Sequence, residues 1–502
     1  MIPAIRSSSH SAPHAGATRG QTTKSAMLIL AAAVTVNCCA AELRIGTATI
    51  SITPDKPVAL DGQFNLRVSR GVDNPVTATA VAIEAREGDR VTDQAILLSA
   101  DLVAFRTAIP PLLRERLREK LPDFDPRKLV PTATHTHTGP VTEEGKYDIP
   151  KEGVMPPREY VEFLMDRLTE VSVRAWNQRQ PGGVSWGLGH AVVGHNRRAV
   201  YADGTAKMYG ATGVPEFRGI EGGEDHGVEM LFFWTPEKKL LAAGVNLSCP
   251  SQEVEGRSTV NADFWHDVRE QLRAGAGAEL GVLGWPGAAG DLSPHFLYRK
   301  AAEERMLKLR GITRTQEIGR RIAGQVLEVG ELTRGDIRKD VPFAHKVVDL
   351  VLPARKVTDA EAAEAAKQVE TLKKRGDATH MTAWHQATIT RHQTQGPKPT
   401  FTVEVHVLRI GDIAIATNPF ELFQDYGTQI KSQSKAVQTF VIQLTGGSGS
   451  YLPTARAVAG GGYSAVVQSS KVGPEGGQEL VNRTVEIIND LWSKPAKTEP
   501  QP

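Results

Sequence analysis

Apolar positions along this chain repeat at two spacings, every second residue in some stretches and every third or fourth in others, and the two kinds of stretch interleave. Near the start, ATISITP at 48–54 and TATAVAIEA at 77–85 alternate or run β-branched, and both predict strands. QAILLSADL at 94–102 is a continuous apolar run ending in Asp101, the pattern of a strand buried on both faces. PPLLRERLREKL at 110–121 opens on prolines and is stopped by Pro122, which predicts a helix. KLVPTATHTH at 128–137 follows as a strand. In REYVEFLMDRLTEVSVRAW, at 158–176, the residues Val161, Leu164, Leu168, Val171 and Ala175 fall on one helical stripe.

The second half continues in kind. Strands are predicted at 183–193, 228–236 and 240–249, a helix over 262–273, and a strand at 279–287 that runs into a Gly-rich loop. Thr313 with Gln316 and Thr358 with Glu361 match the capping box, so helices should begin there; Gly330 and Gly376 lie near their far ends. FTVEVHVLRI at 401–410 alternates strictly, Gly411–Asp412 suits a tight turn, and IAIA returns, which predicts a hairpin. TFVIQLTGG at 439–447 is the last core strand. With no fixed repeat and no Pro/Ser-rich linker, the fold class is α/β: a single large domain, 42–492, of mixed β-sheets flanked by helices.

Composition narrows the function classes. The chain has 502 residues, 40% hydrophobic and 23% charged, enough to bury a large core without disulfides. A formal net charge of +2 gives no electrostatic reason to expect nucleic acid or an anionic membrane as partner. The body holds no run of about 20 apolar residues, so no transmembrane span is expected in the mature chain. Residues 1–41 have the layout of a signal peptide. Arg6, Arg19 and Lys24 precede the apolar AMLILAAAVTV, and small residues near Ala40–Ala41 suit cleavage. Export to the periplasm or outside the cell follows; Cys38 and Cys39 leave with the leader, and Cys249 remains alone. The tail, 493–502, is expected to be disordered.

Three groups of residues offer chemistry. In THTHTGP, His135 and His137 stand two apart, so on a strand their rings would share a face; imidazole pairs of this kind bind Zn2+ or act as hydrogen-bonded polar groups. GWPGAAGDLSPHF at 284–296 presents Ser293 in a Gly-rich loop, where Gly287 and Gly290 would let the backbone approach a ligand; an Asp-led turn without catalytic duty is the alternative. The segment lacks the Gly-x-Ser-x-Gly elbow, so an α/β-hydrolase is not indicated. The third group is Arg197 in HNRR, with fixed donors, Glu421 in NPFELF, and Tyr451 and Tyr463 in glycine-rich segments.

Taken in order, these pieces resemble the catalytic domain of the neutral/alkaline non-lysosomal ceramidase family. The agreement comprises the early ITP, THTHTGP, the NR at 196–197, GDLSP, the Glu after NPF, and the late Tyr-rich segment, over residues 43 to 492. The resemblance implies a zinc-dependent exported amidohydrolase of lipid metabolism that cleaves ceramide or a related N-acyl lipid. Its implied zinc ligands are His135, Glu421 and Tyr451; its implied catalytic residues are Ser293, His137, Arg197 and Tyr463. One position departs. Where the family has a further zinc histidine at a strand end, this chain reads NLSCPSQ and puts Cys249 there, either as a thiolate ligand or as a small core residue. Two other readings stand beside it: a hydrolase of the same fold acting on another small amide or ester, and a binding protein with a decayed site.

Overall fold

The structure, a computed structural model, describes residues 40–376 and 380–493. The signal-peptide reading lies outside them except for Ala40 and Ala41, which open the first strand, Ala40–Ser51. The disordered-tail reading likewise lies outside them beyond Ser493.

Among the described residues, twelve strands share one mixed sheet, and Ala40–Ser51 is the strand from which three arms depart. One arm runs through Gln180–His190, Gly227–Trp234 and Leu240–Leu247 to Gly281–Pro286. The second runs through Asp340–Pro353, Thr400–Ile410 and Ile413–Thr417 to Gln438–Ile442. The third runs through Thr77–Glu87 and Arg90–Ala100 to Leu129–Ala133. Neighbours are antiparallel except for the final pair of each arm, which is parallel. A parallel pair puts two carboxyl ends on one edge, which is where α/β sheets place ligands. The three edges are joined by backbone hydrogen bonds: Ala133 N–H to Leu444 O (3.3 Å), Gly446 N–H to Pro131 O (2.9 Å) and Gln443 N–H to Pro286 O (3.0 Å).

Period-two alternation decides what each face meets. In Thr77–Glu87, Ala78, Ala80 and Ala82 pack with the helices Ile109–Lys120 and Pro157–Asn177, while Val81 and Ile83 face the other way. That second set joins Leu43, Leu231, Trp285, Leu408 and Phe440 in a helix-free core between the arms. Outer faces are covered by Phe264–Ala276 with Arg314–Thr333 on the first arm, and by Pro474–Asp490 on the second. Each large apolar side chain so buried contributes roughly 1.5–3 kcal/mol, before conformational entropy is subtracted. The α/β class, with one large mixed sheet flanked by helices, is as the sequence predicts.

Both capping boxes form, Thr313 with Gln316 and Thr358 with Glu361. The 401–416 hairpin forms with Gly411 at φ +62°. The strand ending in the histidine motif differs from expectation. The strand at 128–137 stops at Ala133, because Thr134 N–H turns to Ala100 O and His135 N–H to Leu102 O. The long strand Asp340–Pro353 carries no clean alternation, since His345 is buried among its apolar residues. Between it and Thr400–Ile410 the chain inserts a helical pair, Asp359–Lys374 and His380–Thr394.

Candidate active site

Most of the motif residues sit just beyond the carboxyl ends of the parallel pairs; Arg197 follows the short strand His195–Asn196 and Tyr463 the helix Ala455–Gly460. His135 and His137 follow Leu129–Ala133; Gln252 follows Leu240–Leu247; Ser293 follows Gly281–Pro286. Glu421 follows Ile413–Thr417, and Tyr451 follows Gln438–Ile442. The two last are partners in a short parallel pair of their own, Glu421 opposite Tyr451.

Asp101, at the end of its strand, anchors the segment that carries the histidines. Its carboxylate accepts from both terminal nitrogens of Arg269 (2.7 and 2.9 Å) and from Thr134 Oγ1 (3.1 Å), all of it buried. His135 then adopts φ +69° and donates Nδ1–H to Val103 O (2.7 Å), which leaves Nε2 as a lone pair facing inward. The two rings meet, Nε2 to Nε2 at 3.3 Å, although not by strand alternation, since both residues lie past the strand. Glu421 Oε2 stands 3.5 Å from His135 Nε2. Burial alone would raise the Glu421 carboxyl; the Tyr451 hydroxyl and the Arg197 charge work against it and favour the ionised form.

Arg197 organises the layer behind. Its Nη1 donates to Gln252 Oε1 (3.0 Å) and Tyr209 Oη (3.2 Å), and its Nη2 to Gly290 O (2.9 Å) and Tyr451 Oη (3.3 Å). Arginine has only donors, so Gln252 must turn its oxygen to Arg197 and its amide N–H to His137 Nε2, 2.9 Å away. The proton of neutral His137 is therefore on Nδ1, facing Glu255 at 3.2 Å. Burial lowers the His137 pKa more than Glu255 restores it, and the His135 ring adds to the lowering. Gly62, at φ +98°, closes over this ring; a Cβ there would overlap it.

His135, His137, Glu421, Tyr451 and Tyr463 all line one cavity of about 570 Å³. Phe64, Trp384 and Tyr463 form an aromatic wall with ring centroids 5.3 to 5.9 Å apart, Trp384 coming from the inserted helical pair. Arg197 and Ser293 are both buried and contribute no wall. Ser293 lies one layer back, where its Oγ accepts from Tyr209 Oη (3.0 Å) and the His295 N–H (3.1 Å). Cys249 is not brought into this group. It is buried in an apolar cluster with Val193, Phe264 and Trp265, its thiol 3.6 Å from the Val193 and Pro250 carbonyls, and burial pushes its pKa well up. The NLSCPSQ segment reaches the site through Gln252 instead.

The glycines of GWPGAAGD also serve a different end from the one expected: Gly290 packs against the Glu421 backbone, so the close approach is of chain to chain. Asp291 holds the three motif loops together, accepting from Asn196 Nδ2 (2.9 Å) and Gln424 N–H (2.8 Å).

Among the described residues no group of three His, Cys, Asp or Glu side chains stands as a ready metal cage. The donors here are the His135 imidazole, the Glu421 carboxylate and the Tyr451 phenol. With zinc–ligand bonds of about 2.0–2.2 Å, neighbouring tetrahedral donors stand roughly 3.3–3.5 Å apart, which the His135–Glu421 spacing of 3.5 Å matches. The inward lone pair and ionised carboxylate suit zinc chemically; a buried thiol held protonated does not join them.

No protein-family model matches the chain, nor does any curated protein. Solved structures do. A ceramidase complexed with C2 superposes with a TM-score of 0.65 at 15% identity, over 92% of this chain and 77% of that one. The neutral ceramidase from Pseudomonas aeruginosa gives 0.65 at 17% identity, with the same coverage. The chain has the neutral-ceramidase fold. Within that fold, the strand ends bring His135, Glu421 and Tyr451 to the lining of one cavity. No helix among the described residues is long and apolar enough to cross a membrane.

Proposed function

We propose that the protein is an exported, zinc-dependent amidohydrolase that cleaves the amide bond of ceramide or a related N-acyl lipid, releasing a fatty acid and an amine. The observation that carries this reading is the convergence of His135, Glu421 and Tyr451 at the base of an aromatic-walled cavity, in a chain with the neutral-ceramidase fold. An amide carbonyl is a weak electrophile, so its hydrolysis needs both polarisation and an activated nucleophile. Zinc held by His135 Nε2, Glu421 and Tyr451 supplies Lewis acidity for the one and a lowered water pKa for the other.

The protein's own groups do the rest. His137 is neutral, and its Nε2, which accepts the Gln252 amide N–H in the resting site, exchanges that bond for the attacking water, takes its proton and returns it to the departing amine. Tyr463 lines the cavity and keeps its proton, because burial pushes its pKa up; it donates to the carbonyl oxygen as negative charge develops there. Arg197 touches no substrate and positions Tyr451 and Gln252. Ser293 holds Tyr209 against Arg197, so water rather than serine is the nucleophile in this reading.

The test is amine release from N-acyl sphingosines, compared with short-chain amides and esters. Turnover of the lipid amides with little turnover of the short substrates supports the proposal; the reverse order makes this a hydrolase of small soluble substrates.

A further inference from the structure

The cavity's polar side is unevenly charged. Arg106 and Lys146, both in its wall, are matched by the buried Asp61, which takes Arg106 at 2.5 Å and also pairs with Lys146, and by Glu143, 3.6 Å from Arg106. Arg355, Arg391 and Lys471 also line the cavity, with one carboxylate within ion-pair distance among them, Glu361 at 3.2 Å from Arg355. Among the described residues no carboxylate lies within ion-pair distance of Arg391 or Lys471.

Arg391 is fixed by its side chain, and Lys471 by the backbone that carries it. Arg391, on the helix His380–Thr394, donates to Ser470 O (3.2 Å) and Val467 O (3.1 Å), and its Nε is buried without a partner. Arg355 N–H donates to Lys471 O (2.9 Å), and its Nη1 to Ala465 O and Ser470 Oγ (both 2.7 Å). The loop that carries Lys471 is thus clamped from two sides. Lys471, an exposed residue, lies over the Phe401 ring, 5.6 Å from its centroid. Partial desolvation lowers the pKa of both cations; the Arg355 charge adds to the lowering at Arg391 and Glu361 opposes it, while at Lys471 Glu143 opposes it and the Arg391 and Arg106 charges add to it. Two cations without an ion-pair partner, set beside an aromatic wall, select an anion attached to an apolar chain.

Resting on the amide-hydrolase reading, we infer that the substrate carries a carboxylate or phosphate on its amine half, which Lys471 and Arg391 bind while the acyl chain lies against Phe64 and Trp384. The enzyme then prefers acidic N-acyl conjugates to neutral ceramide. Acyl amino acids and phosphorylated ceramides are the two sources of such an anion.

Rates for a neutral ceramide, its phosphate ester and an N-acyl amino acid of equal acyl length test this. The expected kcat/KM is at least about tenfold higher for one or both acidic substrates, the size of one charge-assisted contact. That preference should fall about tenfold in Lys471→Gln and survive in Lys471→Arg. The substrate that shows the preference identifies the source of the anion. Equal rates for neutral and acidic substrates, or a preference untouched by Lys471→Gln, overturn the inference. If no amide is turned over, the hydrolase reading fails instead, and calorimetry with dodecyl phosphate against dodecanol still decides the anion site. Phosphate-selective binding lost in Lys471→Gln upholds it; no selectivity removes it.

Discussion

At the scale of single residues, a chain of hydrogen bonds fixes the protonation of the site. Arg197 sets the orientation of Gln252, and Gln252 sets which nitrogen of His137 carries the proton. Lysine at 197 keeps the charge but cannot serve Gln252, Gly290 and Tyr451 at once. Arg197→Lys should lower kcat about 10- to 100-fold, as changes to groups that orient ligands and bases commonly do. Zinc content should stay near wild type. Unchanged kcat would show that Gln252 finds its orientation elsewhere. Ser293 poses a separate question, since its hydroxyl faces Tyr209. Rapid quench with a radiolabelled acyl substrate should find no acyl-enzyme at any time point; label on a Ser293 peptide would make serine the nucleophile. The family resemblance names His135, Glu421 and Tyr451, which the structure places around one cavity; it leaves Cys249 open between ligand and core residue and does not single out Gln252. A cysteine is a familiar zinc ligand and a glutamine is not, and only the fold shows which of the two faces His137.

At the scale of elements, strands and helices with a clean period were legible and those without one were not. The hairpin 401–416 and both capped helices form where their patterns predict. The sequence reading names no element at Pro474–Asp490, where Gly476 and Gly477 occupy the first turn, or at Asp340–Pro353, where a buried histidine interrupts the apolar face. One ion pair ties elements far apart in sequence. Arg114, on Ile109–Lys120, holds Glu404, on Thr400–Ile410, through both nitrogens (2.5 and 3.0 Å). Burial would raise the Glu404 carboxyl, but bonds from His406 and Arg114 bring it to about 2. A carboxyl depressed on folding stabilises the protein above its unfolded pKa of about 4.3, and that contribution fades as pH falls towards 2. Glu404→Gln should therefore cost about 3 kcal/mol of unfolding free energy at pH 7. The gap to wild type should narrow steadily below pH 4 in urea titrations. A gap that does not change with pH would mean that the pair adds no ionic stabilisation.

At the scale of the whole molecule, three arms of one sheet each end in a parallel pair, and the six carboxyl ends are stitched into one edge. That arrangement is why motifs spread from residue 135 to 463 share a cavity. Periodicity revealed the strands but not their pairing, because a parallel and an antiparallel partner read alike in an apolar run. Order along the chain supplied what periodicity lacked. The central claim is that the side chains of His135, Glu421 and Tyr451 hold zinc at this edge. Metal analysis of protein purified after zinc-replete expression tests it most directly, run beside His135→Ala and Glu421→Ala. The account expects about one zinc per chain in wild type and a loss of most of it in both variants, with folding intact by circular dichroism. Wild-type protein without zinc, or variants that keep it in full, would contradict the account.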